Sequence, residues 1–241
     1  MTSKAKPNPK HLVQGDPIPP LKKGVPRLFS FRFCPFAHRS RLVLAAKNVD
    51  YELVNISLSK KPEWYKTKNP FGTTPCFEHD EKIVRDSSIV CDYVNDAYPG
   101  VDLWPEDPYR KAQDKMLLDY FGSKISPPFF KATYHPPPST TEDFLAVYQK
   151  ELHVLEEELK KRGSAFFFGE KPGLVDFIMW PWFERWAVLG EDFHRENYPT
   201  LMGYCGRMKE DPAVIEAATP DEIYQDNFKK QMEGKNPQDD Y

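Results

Sequence analysis

Cys34 stands where a cysteine can act as a nucleophile. It follows RLFSFRF (27–33), which is typical of a strand, and precedes Pro35, which suits the first turn of a helix. The start of a helix presents free N–H groups and a partial positive charge, and these favour the thiolate. Arg39 and Arg41 follow closely and could add positive potential. The alternative is a small buried core residue, since cysteine is often buried, but the context favours a reactive thiol.

Thr74 and Pro75 are a second candidate, because Pro75 opens a predicted strand, PCFEH (75–79). A cis bond before Pro75 would turn the N–H and C=O groups of Thr74 outward, where they could pair with an extended peptide. Cis bonds are uncommon even before proline. The expected position of this bond, opposite Cys34 across a four-stranded sheet, favours one here.

Asp86, Ser87 and Ser88 precede a segment with helical apolar spacing. Such residues are helix N-caps by default, and we expect Ser87 or Ser88 to cap this helix. The free N–H groups at the helix start, together with the Ser87 hydroxyl, could also hold a carboxylate. Lys60 and Lys61, before Pro62, are ordinary surface lysines by type, but one of them could meet a second carboxylate.

Together these sites predict a peptide ligand with a thiol near its middle and a carboxylate at each end, held beside Cys34. Glutathione is such a peptide, and we expect it as a co-substrate. The cysteines show neither a C-x-x-C pair nor zinc-ligand spacing, so no metal is expected. They are Cys34, Cys76, Cys91 and Cys205.

Composition predicts a folded protein without a nucleic-acid or membrane partner. Apolar residues make up 40% of the 241 residues, enough for a packed core. Lys plus Arg (33) nearly balances Asp plus Glu (36), so the basic excess of a nucleic-acid binder is missing. The longest apolar run, 177–183, is far below the roughly 18 residues of a membrane span. The N-terminal segment has no apolar signal region, so we expect a cytoplasmic protein with free thiols.

The predicted elements change character along the chain, from an α/β half to an all-helical half. Strands are predicted at 27–33, 51–58, 75–79 and 82–86, with helices after Cys34 and after Asp86. Beyond the linker only helices are predicted, at 107–124, 140–162, 174–190 and 198–212. We therefore expect a proline-rich extension (1–26), an α/β domain (27–103), a linker (104–108) and an all-helical domain (109–241).

Several segments resemble the omega class of cytosolic glutathione transferases, over about residues 18–215. They include RFCPFAHRSRLVLAAK, KKPEWYKTKNPFGTTP, DSSIVCDYV and WPWFER. Among glutathione transferases the cysteine of C-P-F sets this class apart, because most of these enzymes activate glutathione with tyrosine or serine. The resemblance implies a thioredoxin-like α/β N-terminal domain, an all-α C-terminal domain that binds the acceptor substrate, and a homodimer.

The resemblance also implies site residues. Cys34 matches the catalytic cysteine, which forms a mixed disulfide with glutathione. The glutathione-binding positions that it implies are Phe36, Lys61, Thr74, Pro75, Asp86 and Ser87. Lys61 is expected at the glycyl carboxylate, the backbone of Thr74 at the cysteinyl residue, and Asp86 with Ser87 at the γ-glutamyl end. Asp86 stands where relatives carry glutamate.

Four positions in the helical half complete the resemblance. Trp180 and Trp182 are candidates for the acceptor pocket, with core packing as the alternative. Gly173 stands where the family usually has a serine or threonine N-cap, three residues before Asp176. We expect Asp176 to serve folding rather than chemistry.

The leading functional hypothesis is a glutathione-dependent thiol transferase and reductase. Its expected acceptors are dehydroascorbate, mixed disulfides and methylated arsenic acids, with weak conjugation activity. One alternative is a non-enzymatic protein of the chloride-intracellular-channel type, which shares the architecture and a C-P-F motif. Another is an omega-like enzyme of pigment or pteridine metabolism with the same cysteine chemistry.

Overall fold

The computed structural model describes residues 8–134, 141–189 and 197–235, and they fall into two units. The first unit contains residues 8–102 and 212–218, and the second contains the described parts of 103–211 and 219–235. Among the described residues, every helix is too short or too polar to span a bilayer.

The first unit is built on a mixed four-stranded sheet. Its strands are β1 Arg27–Ser30, β2 Glu52–Asn55, β3 Cys76–His79 and β4 Lys82–Arg85. They lie in the order β2-β1-β3-β4, with β1 parallel to β2 and the other neighbours antiparallel. This is the predicted thioredoxin-like arrangement, and the fold prediction is confirmed.

The first strand is shorter than the sequence predicts. The pattern predicts a strand over 27–33, which is wrong for its last three residues, because β1 ends at Ser30. The N–H of Cys34 donates to the carbonyl of Phe31 at 2.9 Å, so residues 31–34 form a turn. The second strand is also shorter than 51–58, although Ile56 continues it as an isolated parallel bridge to Leu12.

Helices account for most of the remaining chain. They are α1 Pro35–Ala46, α2 Tyr65–Lys68, α3 Ser87–Ala97, α4 Pro108–Tyr120, α5 Ser126–Tyr134, α6 Thr141–Arg162, α7 Leu174–Glu184, α8 Pro199–Glu210, α9 Pro212–Ala217 and α10 Asp221–Met232. In the first unit α1 packs against α3 and against α9, which returns from the far end of the chain. No strand occurs in the described part of the second unit, as the sequence predicts.

Helix α5 is an element that the sequence pattern misses. Its segment begins Ser126–Pro127–Pro128, which looks like a helix breaker. Both prolines lie in the first turn of α5. A π-helical turn, Phe121–Ile125, joins α4 directly to α5. On α6 the side chains of Tyr148, Leu152, Leu155 and Leu159 are buried.

Asp176 has the structural role that the sequence predicts. Its carboxylate accepts the N–H groups of Phe167 (2.8 Å), Phe168 (3.0 Å) and Gly173 (3.0 Å). Gly173 is the N-cap of α7, and a Cβ there would lie 2.4 Å from Cγ of Phe168. The serine or threonine that the resemblance implies at this N-cap would therefore clash with Phe168. Burial raises the pKa of Asp176 to about 7, against the three N–H donors that lower it.

Candidate functional site

The Cys34 thiol lies at the N-terminus of α1, between the helix and the Thr74 carbonyl. Cys34 is the N-cap of α1 and Pro35 is its first residue. Its Sγ accepts the N–H of Ala37 at 3.4 Å and, as a thiol, donates to the Thr74 carbonyl at 3.7 Å. Cys34 is half-buried, whereas the other three cysteines are buried. The structure thus brings the predicted nucleophile and the predicted backbone partner together.

The Thr74–Pro75 peptide bond is cis, as the sequence reasoning expects. Pro75 directly precedes β3, and Thr74 is buried with 7% of its surface exposed. Among the described residues, the N–H of Thr74 makes no backbone hydrogen bond. A backbone amide is therefore available next to the thiol to pair with an extended ligand.

The N-cap of α3 is Asp86, and the prediction of Ser87 or Ser88 as the cap is wrong. Oδ1 of Asp86 accepts the N–H of Ser88 (2.9 Å), the N–H of Ile89 (3.4 Å) and the hydroxyl of Ser88 (2.6 Å). Asp86 adopts a positive φ of 72°, which aspartate tolerates better than most residues. Two of the helix N–H groups expected to be free for a ligand are consequently engaged by Asp86.

The second carboxylate oxygen of Asp86 remains open. No hydrogen bond within the described part of the chain uses Oδ2, and the residue is exposed. Partial burial raises the pKa of Asp86, but hydrogen bonds from Ser88 and Ile89 and the charge of Arg39 outweigh it, so the pKa lies below its usual value. Asp86 therefore presents a negative charge at the start of α3.

Ser87 is the first residue of α3 and is buried, with 5% of its surface exposed. Its Oγ accepts a hydrogen bond from Nη1 of Arg39 at 3.1 Å. Arg39 comes from α1 and is itself only 8% exposed. Its Cζ lies 5.1 Å from the centre of the Phe36 ring, a cation–π distance. Arg39 thus links two of the predicted site residues, Phe36 and Ser87.

Lys61 lies against Gly72, in the loop before Thr74. A Cβ on Gly72 would come within 3.3 Å of the Lys61 Nζ, and Gly72 has a positive φ of 65° that glycine adopts freely. Among the described residues, the Lys61 ammonium has no ion-pair partner. It remains a half-buried cation without a counter-ion, which suits the predicted carboxylate contact.

The two tryptophan candidates lie deep in the second unit. Trp180 and Trp182 on α7 are both 0% exposed. Trp182 packs edge-on against Phe121 at 5.3 Å, and Trp180 against Tyr204 at 6.5 Å between ring centres. These contacts correspond to the core-packing alternative, while their part in an acceptor pocket stays a prediction.

Sequence reasoning named Arg39 as a source of positive potential but not as a partner of Ser87. It missed His11 altogether. Nε2 of His11 accepts the N–H of Arg32 at 3.2 Å, two residues before Cys34. No local sequence pattern predicts this contact, because the two residues are 21 positions apart. Within the described residues, no group of three His, Cys, Asp or Glu side chains has metal-binding geometry.

Known proteins match this chain along most of its length. The family model "Glutathione S-transferase, N-terminal domain" matches residues 28–102, and "Glutathione S-transferase, C-terminal domain" matches residues 138–207. Glutathione S-transferase omega-2 of Mus musculus is 40% identical over 211 residues, which are 86% of this chain and 84% of the mouse protein. Pyrimidodiazepine synthase of Drosophila melanogaster is 40% identical over 219 residues, which are 86% of this chain and 87% of the fly protein.

A solved structure gives the same fold. The crystal structure of glutathione transferase Omega 3C from Trametes versicolor superposes with a TM-score of 0.75, covering 87% of this chain and 91% of that one. Its identity of 24% supports the fold alone. The two family models and the omega-named relatives agree with the sheet and helices described above. The chain therefore belongs to the omega class of the glutathione S-transferase family.

Proposed function

We propose that this protein is a glutathione-dependent thiol transferase and reductase in which Cys34 is the nucleophile. The observation that carries the proposal is the position of Sγ, which accepts an N–H of the first turn of α1 and lies 3.7 Å from the Thr74 carbonyl. Sγ thus lies at a helix N-terminus, a position typical of nucleophilic cysteines, and Arg39 of the same helix interacts with it electrostatically. The acceptors we propose are dehydroascorbate, mixed disulfides and methylated arsenic acids, with weak conjugation activity.

The proposed reaction runs through two thiol–disulfide exchanges. The Cys34 thiolate attacks the glutathione sulfur of a mixed disulfide, so a Cys34–glutathione bond forms and the acceptor leaves as a thiolate that takes up a proton. A second glutathione thiolate then attacks the glutathione sulfur on Cys34. Glutathione disulfide leaves, and the Cys34 thiolate is restored. Because Ala37 stands where a C-x-x-C motif would have its second cysteine, a C-x-x-C cycle cannot resolve this disulfide.

Glutathione is proposed to lie along the backbone of Thr74. The Thr74 amide and carbonyl would pair with the cysteinyl residue, which places the ligand sulfur next to Sγ of Cys34. Lys61 would meet the glycyl carboxylate at one end. At the other end Ser87 would donate to the γ-glutamyl carboxylate, and Oδ2 of Asp86 would accept from the ammonium. Phe36, with 36% of its surface exposed, would flank the thiol.

Mass spectrometry of the intact protein after incubation with glutathione disulfide tests the proposal. We expect one glutathione per chain, mapped to Cys34 by peptide analysis, and dehydroascorbate reduction with glutathione as the reductant. Cys34→Ala should lose both properties, while the matched control Cys205→Ala should keep them. Glutathionylation at another cysteine, or full reductase activity of Cys34→Ala, would overturn the assignment.

A second candidate is an omega-like enzyme of pigment or pteridine metabolism. It is favoured by the relative named pyrimidodiazepine synthase, which is 40% identical, as high as the omega-2 relative from mouse. The cysteine chemistry would be the same, with glutathione as the reductant of a pterin-type acceptor. Turnover of a pterin acceptor at least tenfold faster than that of dehydroascorbate would favour this candidate.

We further propose that the protein is cytoplasmic and forms a homodimer. Sedimentation of the purified chain would test the dimer.

A further inference from the structure

Arg39 is a buried cation that connects the helix of Cys34 with the γ-glutamyl end of the proposed site. It lies on α1, which carries Cys34 at its N-terminus, and its Nη1 reaches Ser87 on the neighbouring helix α3. Burial lowers the pKa of Arg39 to about 10, and the charges of Cys91, Asp86 and Cys34 raise it. The guanidinium therefore remains protonated at neutral pH. A buried positive charge persists beside Ser87 and the capping carboxylate of Asp86.

The contact with Arg39 leaves the Ser87 hydroxyl able to donate a hydrogen bond to a ligand. A guanidinium only donates hydrogen bonds, whereas a hydroxyl has one donor and two acceptor lone pairs. In the 3.1 Å contact Ser87 must be the acceptor, so one lone pair is engaged and the O–H remains to be donated. A hydroxyl that accepts from a cation is also a stronger donor, because hydrogen bonds in a chain polarise one another.

The remaining donors at this helix start are few. Asp86 already binds the N–H groups of Ser88 and Ile89, so the first-turn donors left for a ligand are the N–H and the O–H of Ser87. A negatively charged group placed there would meet the Ser87 hydroxyl and the Arg39 charge behind it. It would also lie near the negative charge of Asp86, which suits a ligand with a carboxylate and an ammonium on the same carbon.

We infer that Arg39 is a specificity-determining positioning residue, which holds Ser87 as a donor and supplies the positive charge that selects a carboxylate at the γ-glutamyl end of the ligand. This inference rests on the proposed function, because it assigns a role at the glutathione site. Arg39 acts through Ser87 and does not need to touch the ligand. It accounts for the burial of an arginine between α1 and α3 at the point where these helices meet the ligand.

The test compares two ligands by calorimetry. One is S-methylglutathione, which cannot exchange disulfides. The other is S-methyl-(4-aminobutyryl)cysteinylglycine, which keeps the ammonium and lacks only the neighbouring carboxylate. The selectivity ratio is the Kd of the second divided by the Kd of the first. For the wild-type protein we expect about ten- to a hundredfold, the range for hydrogen bonds to a charged group.

Three variants test the part of Arg39. Arg39→Gln keeps a side chain of similar length but removes the charge, and we expect the ratio to fall by about three- to tenfold. Ser87→Ala should lower the ratio at least as much, and Arg39→Lys should restore part of it. The matched control is Lys47→Gln, since Lys47 is a buried cation, 7% exposed, at the opposite end of the same helix. It should leave the ratio unchanged. A wild-type ratio in Arg39→Gln or Ser87→Ala would overturn the inference.

A crystal structure of the wild-type protein with S-methylglutathione gives a result that does not depend on the folding of a variant. We expect Ser87 Oγ to contact both the γ-glutamyl carboxylate and Nη1 of Arg39. Arg39 turned away from Ser87, or a carboxylate bound elsewhere, would overturn the inference. If the wild-type protein binds neither ligand, the proposed function itself fails. If it binds both equally, the inference and the proposed Ser87–carboxylate contact fail, whereas the proposed chemistry of Cys34 stands.

Discussion

The N–H of Arg32 donates to Nε2 of His11 across 3.2 Å, and this bond ties the N-terminal segment to the turn that precedes Cys34. The segment is held in place along β2, because the N–H of Leu12 donates to Asn55 at 2.8 Å and the N–H of Ser57 donates to Leu12 at 2.9 Å. The His11 ring also lies 5.0 Å from the ring of Phe31. His11 and Leu12 therefore help to hold the turn that precedes Cys34.

His11→Ala should loosen the turn before Cys34. The variant leaves the Arg32 N–H without its acceptor, a loss of about 1 kcal/mol for a partly buried group. We expect faster hydrogen exchange of the amides of residues 31–34, measured by mass spectrometry, and a slower reaction of Cys34 with glutathione disulfide. His11→Gln can still offer an acceptor and should restore part of both. His153→Ala, at an exposed position of α6, is the control. Unchanged exchange in residues 31–34 would contradict the prediction.

The sequence predicts the fold better than it predicts the contacts within the site. Residue types and spacing suffice for the strands and for the helices after Cys34 and Asp86, because apolar periodicity and proline positions are local properties. The partners of Ser87 and of Arg32 depend on residues 48 and 21 positions away, which no local pattern contains. Helix α5 is missed for a local reason, since prolines at its start resemble a breaker.

Limited alkylation should label Cys34 before the other cysteines. Burial raises the pKa of Cys76 and of Cys91 to about 12, and it also raises the pKa of Cys205 above its usual value. These thiols are both protonated and enclosed, while Cys34 is half-buried at a helix N-terminus. We expect iodoacetamide at about pH 6 to label Cys34 at least tenfold faster than the others. Peptide mapping measures this, and preferential labelling of another cysteine would refute it.

Cys34→Ala should separate chemistry from binding. The substitution removes the sulfur nucleophile, but the proposed contacts through Lys61, Thr74 and Ser87 do not involve it. We expect dehydroascorbate and disulfide reduction to fall to background, while retention on immobilised glutathione and the thermal midpoint stay close to those of the wild-type protein. Loss of retention would mean that the binding residues are assigned wrongly.

Asp176→Ala should destabilise the protein without a specific effect on the site. Three N–H groups, those of Phe167, Phe168 and Gly173, would lose their acceptor in a buried place. Each buried unsatisfied group costs about 1–3 kcal/mol, so we expect a loss of at least about 3 kcal/mol in the free energy of unfolding. Urea denaturation measures this. A loss below 1 kcal/mol would show that the three N–H groups find other partners.

Asp86→Asn tests the ammonium contact at the γ-glutamyl end. Asparagine is about as good an N-cap as aspartate and also tolerates a positive φ, so the thermal midpoint of the free protein should change little. The charge that Oδ2 presents to the ligand is lost, however. We expect the KM for glutathione to rise about tenfold with a smaller change in kcat. The contact is remote from the reacting sulfur, so it stabilises the bound substrate and the transition state equally.

Ser88→Ala is the matched control for that variant. The Ser88 hydroxyl donates to Asp86 Oδ1 at 2.6 Å but has no proposed contact with the ligand, so its removal should leave the KM within about twofold of the wild-type value. The resemblance implies a glutamate at this position, and aspartate has a shorter side chain, so the variant tests whether Oδ2 reaches the ammonium. If Asp86→Asn also stays within twofold, Asp86 serves only as the cap of α3, and the ammonium must be bound by another group.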